Sequence, residues 1–231
     1  MTVFFSKQLH GLLIVLGLAG YIAGKEMPAN ISTTLLYSAT ESGPSPIIAQ
    51  AIFSGPSPGL AADANLLSIF NAYDHILKLP DDKKQSEVSW HYLMEHLQHA
   101  SILDPYFYDT YRLTSGLLAF QNNYTRDALN ILKHGAANRT WDWETPLVAG
   151  FLAHDLLHDD RLAFDFMKQA SSRPGAPPLV MGLAARFLAD VEGAETGLQF
   201  LRYMKSIMPK GYSKPIDDRI KMLEKEWQIN P

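Results

Sequence analysis

The chain contains no cysteine. Disulfide staples, thiolate metal sites, cysteine nucleophiles and a lipid-modified cysteine anchor are therefore all excluded. It also lacks a basic stripe. Its 20 Lys and Arg against 24 Asp and Glu leave a net charge of -4, which is no footprint for nucleic acid. No segment alternates apolar and polar residues over a strand's length, so no sheet is predicted. There is no glycine-rich phosphate loop and no serine nucleophile elbow. Nor is there a long hydrophobic run: the apolar stretch at residues 11–24 is about 14 residues, against the roughly 20 that span a bilayer comfortably.

What is present describes an ordinary globular protein. Hydrophobic residues make up 47% and charged residues 19% of 231, enough to bury a core as one or two domains. The first segment, residues 1–25, carries Lys7 and no acid ahead of the apolar stretch. Phe4 and Phe5 extend that stretch if Lys7 and His10 snorkel to the headgroups. We read it as an uncleaved membrane anchor. A cleaved secretory signal has the same shape, but Tyr21 and Ile22 stand where small residues are wanted. A buried helix is the third reading. Lys7 ahead of the span directs the body of the protein out of the cytoplasm. Residues 26–59 are rich in Ser, Pro and Gly, with Gly-Pro-Ser-Pro at 43–46 and again at 55–58. Proline and its predecessor favour extended or turn backbone, so this segment reads as a linker, with a short apolar piece at 47–53.

From residue 60 onward the pattern is helical, and the fold class predicted is all-α. Leu66, Leu67, Phe70, Tyr73, Ile76 and Leu77 recur at steps of three and four, and a second helix runs over 88–102. Helix pairs follow at 108–120 with 125–137, 144–157 with 161–171, and 178–191 with 194–208, and a helix at 216–227 closes the series. The connections are short and polar, which makes neighbours antiparallel. Asp109, Thr125 and Ser213 are candidate helix caps. These elements repeat at about 35 residues. Small residues open the second helix of each pair at Ala128, Ala163 and Gly197, with Leu93 one register earlier. Four residues on come Leu97, Leu132, Met167 and Leu201, and then Ala100, Gly135, Ala170 and Met204. Pro105, Pro174 and Pro209 end the registers. Such a period marks a helix-turn-helix solenoid.

The segment Tyr111-Arg-Leu-Thr-Ser-Gly116-Leu-Leu-Ala-Phe120, followed by Ala128-Leu-Asn-Ile-Leu132-Lys-His-Gly135, resembles a tetratricopeptide repeat. Gly116, Ala128, Leu132 and Gly135 match the family's glycine, alanine, large apolar and small positions. Arg112 and Ala119 depart from its tryptophan and tyrosine positions, Phe151 takes the glycine place in the next repeat, and Thr140 takes a proline place. A longer set, Leu35-Leu-Tyr, the run from Leu60 to Leu67, Leu103-Asp-Pro105, Trp141-Asp-Trp143 and Pro174-Gly-Ala-Pro-Pro178, is similar to membrane-anchored bacterial repeat proteins. The resemblance implies a right-handed solenoid over 60–231 with a capping helix, held at the inner membrane by a single N-terminal span and facing the periplasm. It implies no defined activity.

Two histidine groups mimic metal sites. His154-Asp-Leu-Leu-His158 has the spacing of a zincin motif, with Asp155 where a glutamate belongs. His158, however, coincides with a turn. His91, Glu95 and His99 fall on one helix face beside His96; we read them as a polar helix face opposite Leu93, Leu97 and Ala100, with a surface metal or proton-sensitive patch as the alternative. No catalytic residue, cofactor or metal is predicted, and neither nucleic acid nor a small-molecule substrate is expected. The expected function is a scaffold for protein partners in an envelope assembly, with a permanent accessory subunit of a larger membrane complex as the alternative and a histidine-dependent hydrolase as a remote third. By register, the partner groove comprises Thr110, Leu113, Leu117 and Phe120, then Thr145, Val148 and Leu152, then Leu179 and Arg186. Leu117, Phe120 and Leu152 are the apolar anchors expected there, and Arg186 the polar clamp. The apolar members serve equally as core.

Overall fold

The computed structural model describes residues 58–78, 83–121 and 123–228, all within the contact-defined unit Ser54–Pro231. The expected anchor and all but the last two residues of the expected linker lie outside the described residues. Among the described residues no helix is long and apolar enough to cross a membrane.

The all-α expectation holds for this part of the chain, where helices are joined by turns and no strand occurs among the described residues. Helix α1 spans Pro58–Lys78 and α2 Lys83–Leu103. Helix α3, Tyr108–Leu113, runs on into a π-helical segment, Thr114–Leu118. Then come α4 (Thr125–Asn138), α5 (Glu144–Leu157), α6 (Asp160–Ser171), α7 (Pro178–Glu192) and α8 (Ala194–Ile207). A 3-10 turn, Lys210–Tyr212, leads into α9, Ser213–Glu226.

Local chemistry sets several boundaries, though not the caps that the sequence suggested. Asp159 caps α6 by accepting from the Leu162 N–H at 2.9 Å, and Asp142 accepts from the Glu144 N–H at 2.9 Å ahead of α5. Asp109, Thr125 and Ser213 do not serve as caps: their helices have no side-chain cap bond. The Thr125 hydroxyl instead donates backwards to the Ala119 carbonyl at 2.9 Å. Pro178 sits in the first turn of α7, where its missing N–H costs nothing. That helix stops at Gly193, whose φ of 95° suits glycine alone.

Helices pack on their neighbours in chain order: α1 on α2, α2 on α3 and α4, then α4 on α5, α5 on α6, α6 on α7 and α7 on α8. The residues that recur in phase are what they pack with. Leu93, Ala128 and Ala163 are buried, as are Leu97, Leu132, Met167 and Leu201, and so are Ala100, Ala170 and Met204. Gly135 and Gly197 are buried with them. Helix α9 closes the series by burying Ile216, Ile220 and Leu223 against Met181, Leu198 and Leu201. Ion pairs tie it down at Arg186–Glu226 (2.8 Å), Arg202–Glu224 (3.0 Å) and Lys205–Asp217 (2.6 Å).

Small residues mark the close crossings, because two helix backbones approach only where no side chain intervenes. A Cβ on Gly197 would lie 2.5 Å from the Ala185 carbonyl, and one on Gly135 would enter the Tyr111 ring. Gly116, aligned with a family glycine, is not at such a crossing; it is exposed with nothing near it. The π segment explains the slip, since its wider turn adds a residue to a phase counted in α-helical steps. In the next pair Gly150, rather than the neighbouring Phe151, meets the Ala163 carbonyl.

These contacts set the sign of three substitutions. Gly197→Ala and Gly135→Ala are expected to destabilise by about 1–3 kcal/mol through overpacking. Gly116→Ala should be neutral or stabilising by up to about 1 kcal/mol. Urea unfolding of the three variants checks the order.

Candidate partner-binding face

The first helices of the three pairs, α3 with its π segment, α5 and α7, carry the expected groove. Their side chains divide by burial. Thr110, Thr145 and Leu152 are buried, so a partner cannot reach them. Leu152 belongs to the core, and the Thr145 hydroxyl donates to Asp142 at 2.6 Å. Leu113, Leu117 and Val148 are half-buried and lean on the same core. Arg186 is bound to Glu226 of α9, so it already has a partner within the fold. Phe120 and Leu179 stand in solvent at 62% and 54% exposure. The middle helix exposes Phe151, at 37%, a residue that the register had assigned to a crossing. Large apolar side chains are therefore exposed on α5 at Phe151, on α7 at Leu179, and at Phe120 in the turn just beyond the π segment.

Specific contacts join these helices side by side. The Tyr108 hydroxyl of α3 donates to Glu144 of α5. Burial and that carboxylate push the phenol up to about 12. On the other side, the His154 ring of α5 lies 4.7 Å from that of Phe187 of α7.

Sequence reasoning missed the turn that sets α5 on α4. Arg173 is buried and donates to the carbonyls of Ala136, Arg139 and Asp142, the Arg139 bond measuring 2.9 Å. Arg139, 34 residues earlier, donates to Asp142 at 3.1 Å and to the Tyr106 carbonyl. Burial alone would raise the Asp142 carboxyl, but bonds from Thr145, Arg139 and the Glu144 backbone outweigh it and hold it below its usual value. Arg139 also lies 5.5 Å from the Trp141 ring, which stacks on Tyr106 at 5.8 Å with both rings exposed. The signal was available, since Arg139 and Arg173 sit close to one repeat period apart.

The histidine groups are held by their own neighbours. His154 Nδ1 pairs with Asp160 at 2.6 Å. His158 ends α5 in the left-handed region, φ 53°, and is exposed. His91 meets Glu95 at 3.4 Å. His96 is buried, with Nδ1 2.5 Å from the Asn65 side-chain oxygen. Burial, with His99 beside it, lowers its pKa to about 4. Burial lowers His99 as well, against the pull of Glu95. Among the described residues no group of His, Asp and Glu is spaced to hold a metal ion. A hollow of about 150 Å³ between α2 and α4, lined by Met94, Gln98 and Asp127 among others, is well below the roughly 300–1,000 Å³ of a small-molecule site.

Comparison with protein-family models, curated proteins and solved structures produced no match for this chain.

Two outcomes follow from the buried polar groups. Arg173→Met strands three carbonyls and is expected to cost about 2–4 kcal/mol in urea unfolding. His96 is neutral when folded, so the unfolded chain takes up its proton first as pH falls. Its contribution is complete above the ordinary value of 6.5 and is lost progressively down to about 4. The slope approaches about 1.4 kcal/mol per pH unit in that window, read from urea midpoints between pH 7.5 and 4.5.

Proposed function

We propose that this chain is a tetratricopeptide-like, right-handed helical-repeat scaffold that holds a protein partner on the face formed by its first helices. Its N-terminal segment tethers it as a single span to a bacterial inner membrane, with the repeats facing the periplasm, where it serves an envelope assembly. The observation that carries this reading is that large apolar side chains stand in water at Phe151 of α5, at Leu179 of α7 and at Phe120 in the turn that follows the π segment of α3. Each of these helices also has a well-filled buried face. Apolar anchors set among half-buried neighbours such as Leu113, Leu117 and Val148 are what a partner's side chains seat on. The order of packing, pair upon pair with small residues at the crossings, supports the repeat architecture. The tether and its sidedness rest on the apolar stretch and on Lys7.

The partner face is tested by substitutions on its exposed members, which leave the core untouched. Phe120→Asp with Leu179→Asp is expected to weaken partner capture from detergent-solubilised membranes by about tenfold or more per residue, with far-UV circular dichroism unchanged. Capture undiminished in the double variant would place the contact elsewhere. Protease added to spheroplasts should digest the repeats and leave a short membrane-protected fragment; full protection would refute the sidedness.

A further inference from the structure

The face formed by α5 and α7 carries negative charge that the fold does not need. Along α5, Glu144, Val148, Phe151 and Asp155 follow at steps of four, three and four, which sets them in one stripe on the helix. Leu179, Leu183, Arg186 and Asp190 repeat those steps along α7, about 35 residues later. Phe151 and Leu179 are exposed, and Val148 and Leu183 are half-buried against the core. The His154 ring, beside Asp155, lies 4.7 Å from that of Phe187, one turn before Asp190. That contact brings the last turns of the two helices together.

Asp155 and Asp190 are both exposed, and each stands in the last turn of its helix. There the carbonyl end of the helix dipole repels a carboxylate. The arginines of the first helices do not offset this: Arg112 is bound to Asp109 at 3.3 Å and Arg186 to Glu226 at 2.8 Å. Among the described residues no Lys or Arg pairs with either aspartate. Asp155 meets the His154 ring at 3.8 Å, and Asp160 already holds that ring at 2.6 Å. Glu144 differs, because it lies in the first turn of α5, where the dipole favours it, and accepts from Tyr108. Two carboxylates therefore sit against local preference and beside an apolar floor. Stability does not account for them, but complementarity to a positively charged ligand does. We propose that the partner segment held on this face is basic and amphipathic. Its apolar side chains seat on Val148, Phe151, Leu179 and Leu183, and its lysines or arginines meet Asp155 and Asp190. This deepens the scaffold reading and rests on it.

Three synthetic peptides test the proposal, each titrated by fluorescence anisotropy into the purified full-length chain. One non-ionic detergent is used throughout, so that partition into micelles is common to every variant. All three peptides are amphipathic helices of one length. The first has leucines and lysines, the second leucines and glutamates, and the third serines in place of leucine beside the lysines. The leucine–lysine peptide should bind at least about tenfold more tightly than either of the others. Asp155→Asn with Asp190→Asn should weaken it about fivefold. Urea unfolding should find that variant at least as stable as wild type, because two carboxylates leave helix C-termini. Asp165→Asn with Asp218→Asn removes the same charge from exposed positions of α6 and α9, and should leave binding within about twofold of wild type. Binding that does not distinguish the three peptides, or that falls equally in both variants or in neither, overturns the proposal. If Phe120→Asp with Leu179→Asp still abolishes partner capture in such a case, the partner face stands and only the chemistry assigned to its ligand falls.

Discussion

Arg173 reaches across a turn to the carbonyls of Ala136, Arg139 and Asp142, and the stacking of the middle of the molecule depends on this. A helix that ends inside a protein leaves carbonyls with no partner in its own last turn. Here the bonds that Arg173 makes to these carbonyls are buried, out of reach of water. A guanidinium has enough donors, in a fixed fork, to bond several carbonyls at once. Arg173 thereby fixes the end of α6 to the turn between α4 and α5. Arg139 does a related task 34 residues earlier, binding the Tyr106 carbonyl and Asp142. Asp142 in turn orders the start of α5 through Glu144 and Thr145. The placement of α5 between its neighbours, and with it the middle of the candidate face, follows from this one polar cluster.

Around that cluster the packing is a matter of volume. Ala128, Ala163 and Gly197 let a second helix approach the first, and Leu132, Met167 and Leu201 fill the space beside each crossing. The buried side of every first helix is used up in this way, so only the outward side remains for other work. On α5 and α7 that side carries Phe151 and Leu179, and Phe120 is exposed in the turn after the π segment. On α1 it carries Leu60, Leu67, Phe70 and Leu77 with Asp63 and Asp74 among them, whereas on α9 it carries Lys214, Lys221 and Lys225 beside Met222.

How much was legible depended on the residue. The helices at 144–157 and 178–191 were found nearly to the residue, because Pro178, Gly193 and the turn at 158–160 punctuate them. The first pair was harder, since the π segment at Thr114–Leu118 shifts the phase and leaves Gly116 in solvent. The same uncertainty in rotation placed Thr110, Thr145 and Leu152 in a groove when they lie beneath it. A rotation of about 100° per residue separates Leu152 from Phe151, and no repeat pattern resolves an error of one. Arg139 and Arg173 were overlooked because a buried arginine has no periodic apolar signature. Only their recurrence in the repeat hinted at them.

The sequence by itself determined that the described residues are helical, roughly where most of their helices lie, and which small and large residues recur at their crossings. Those properties are local, because turn residues, proline, glycine and apolar period act over a few positions of the chain. Tertiary structure alone decided which apolar residues are core and which are surface, and which carbonyls the arginines satisfy. Those outcomes depend on the rotation of each helix against neighbours some 35 residues away, and that rotation is set by packing contacts that no single helix encodes.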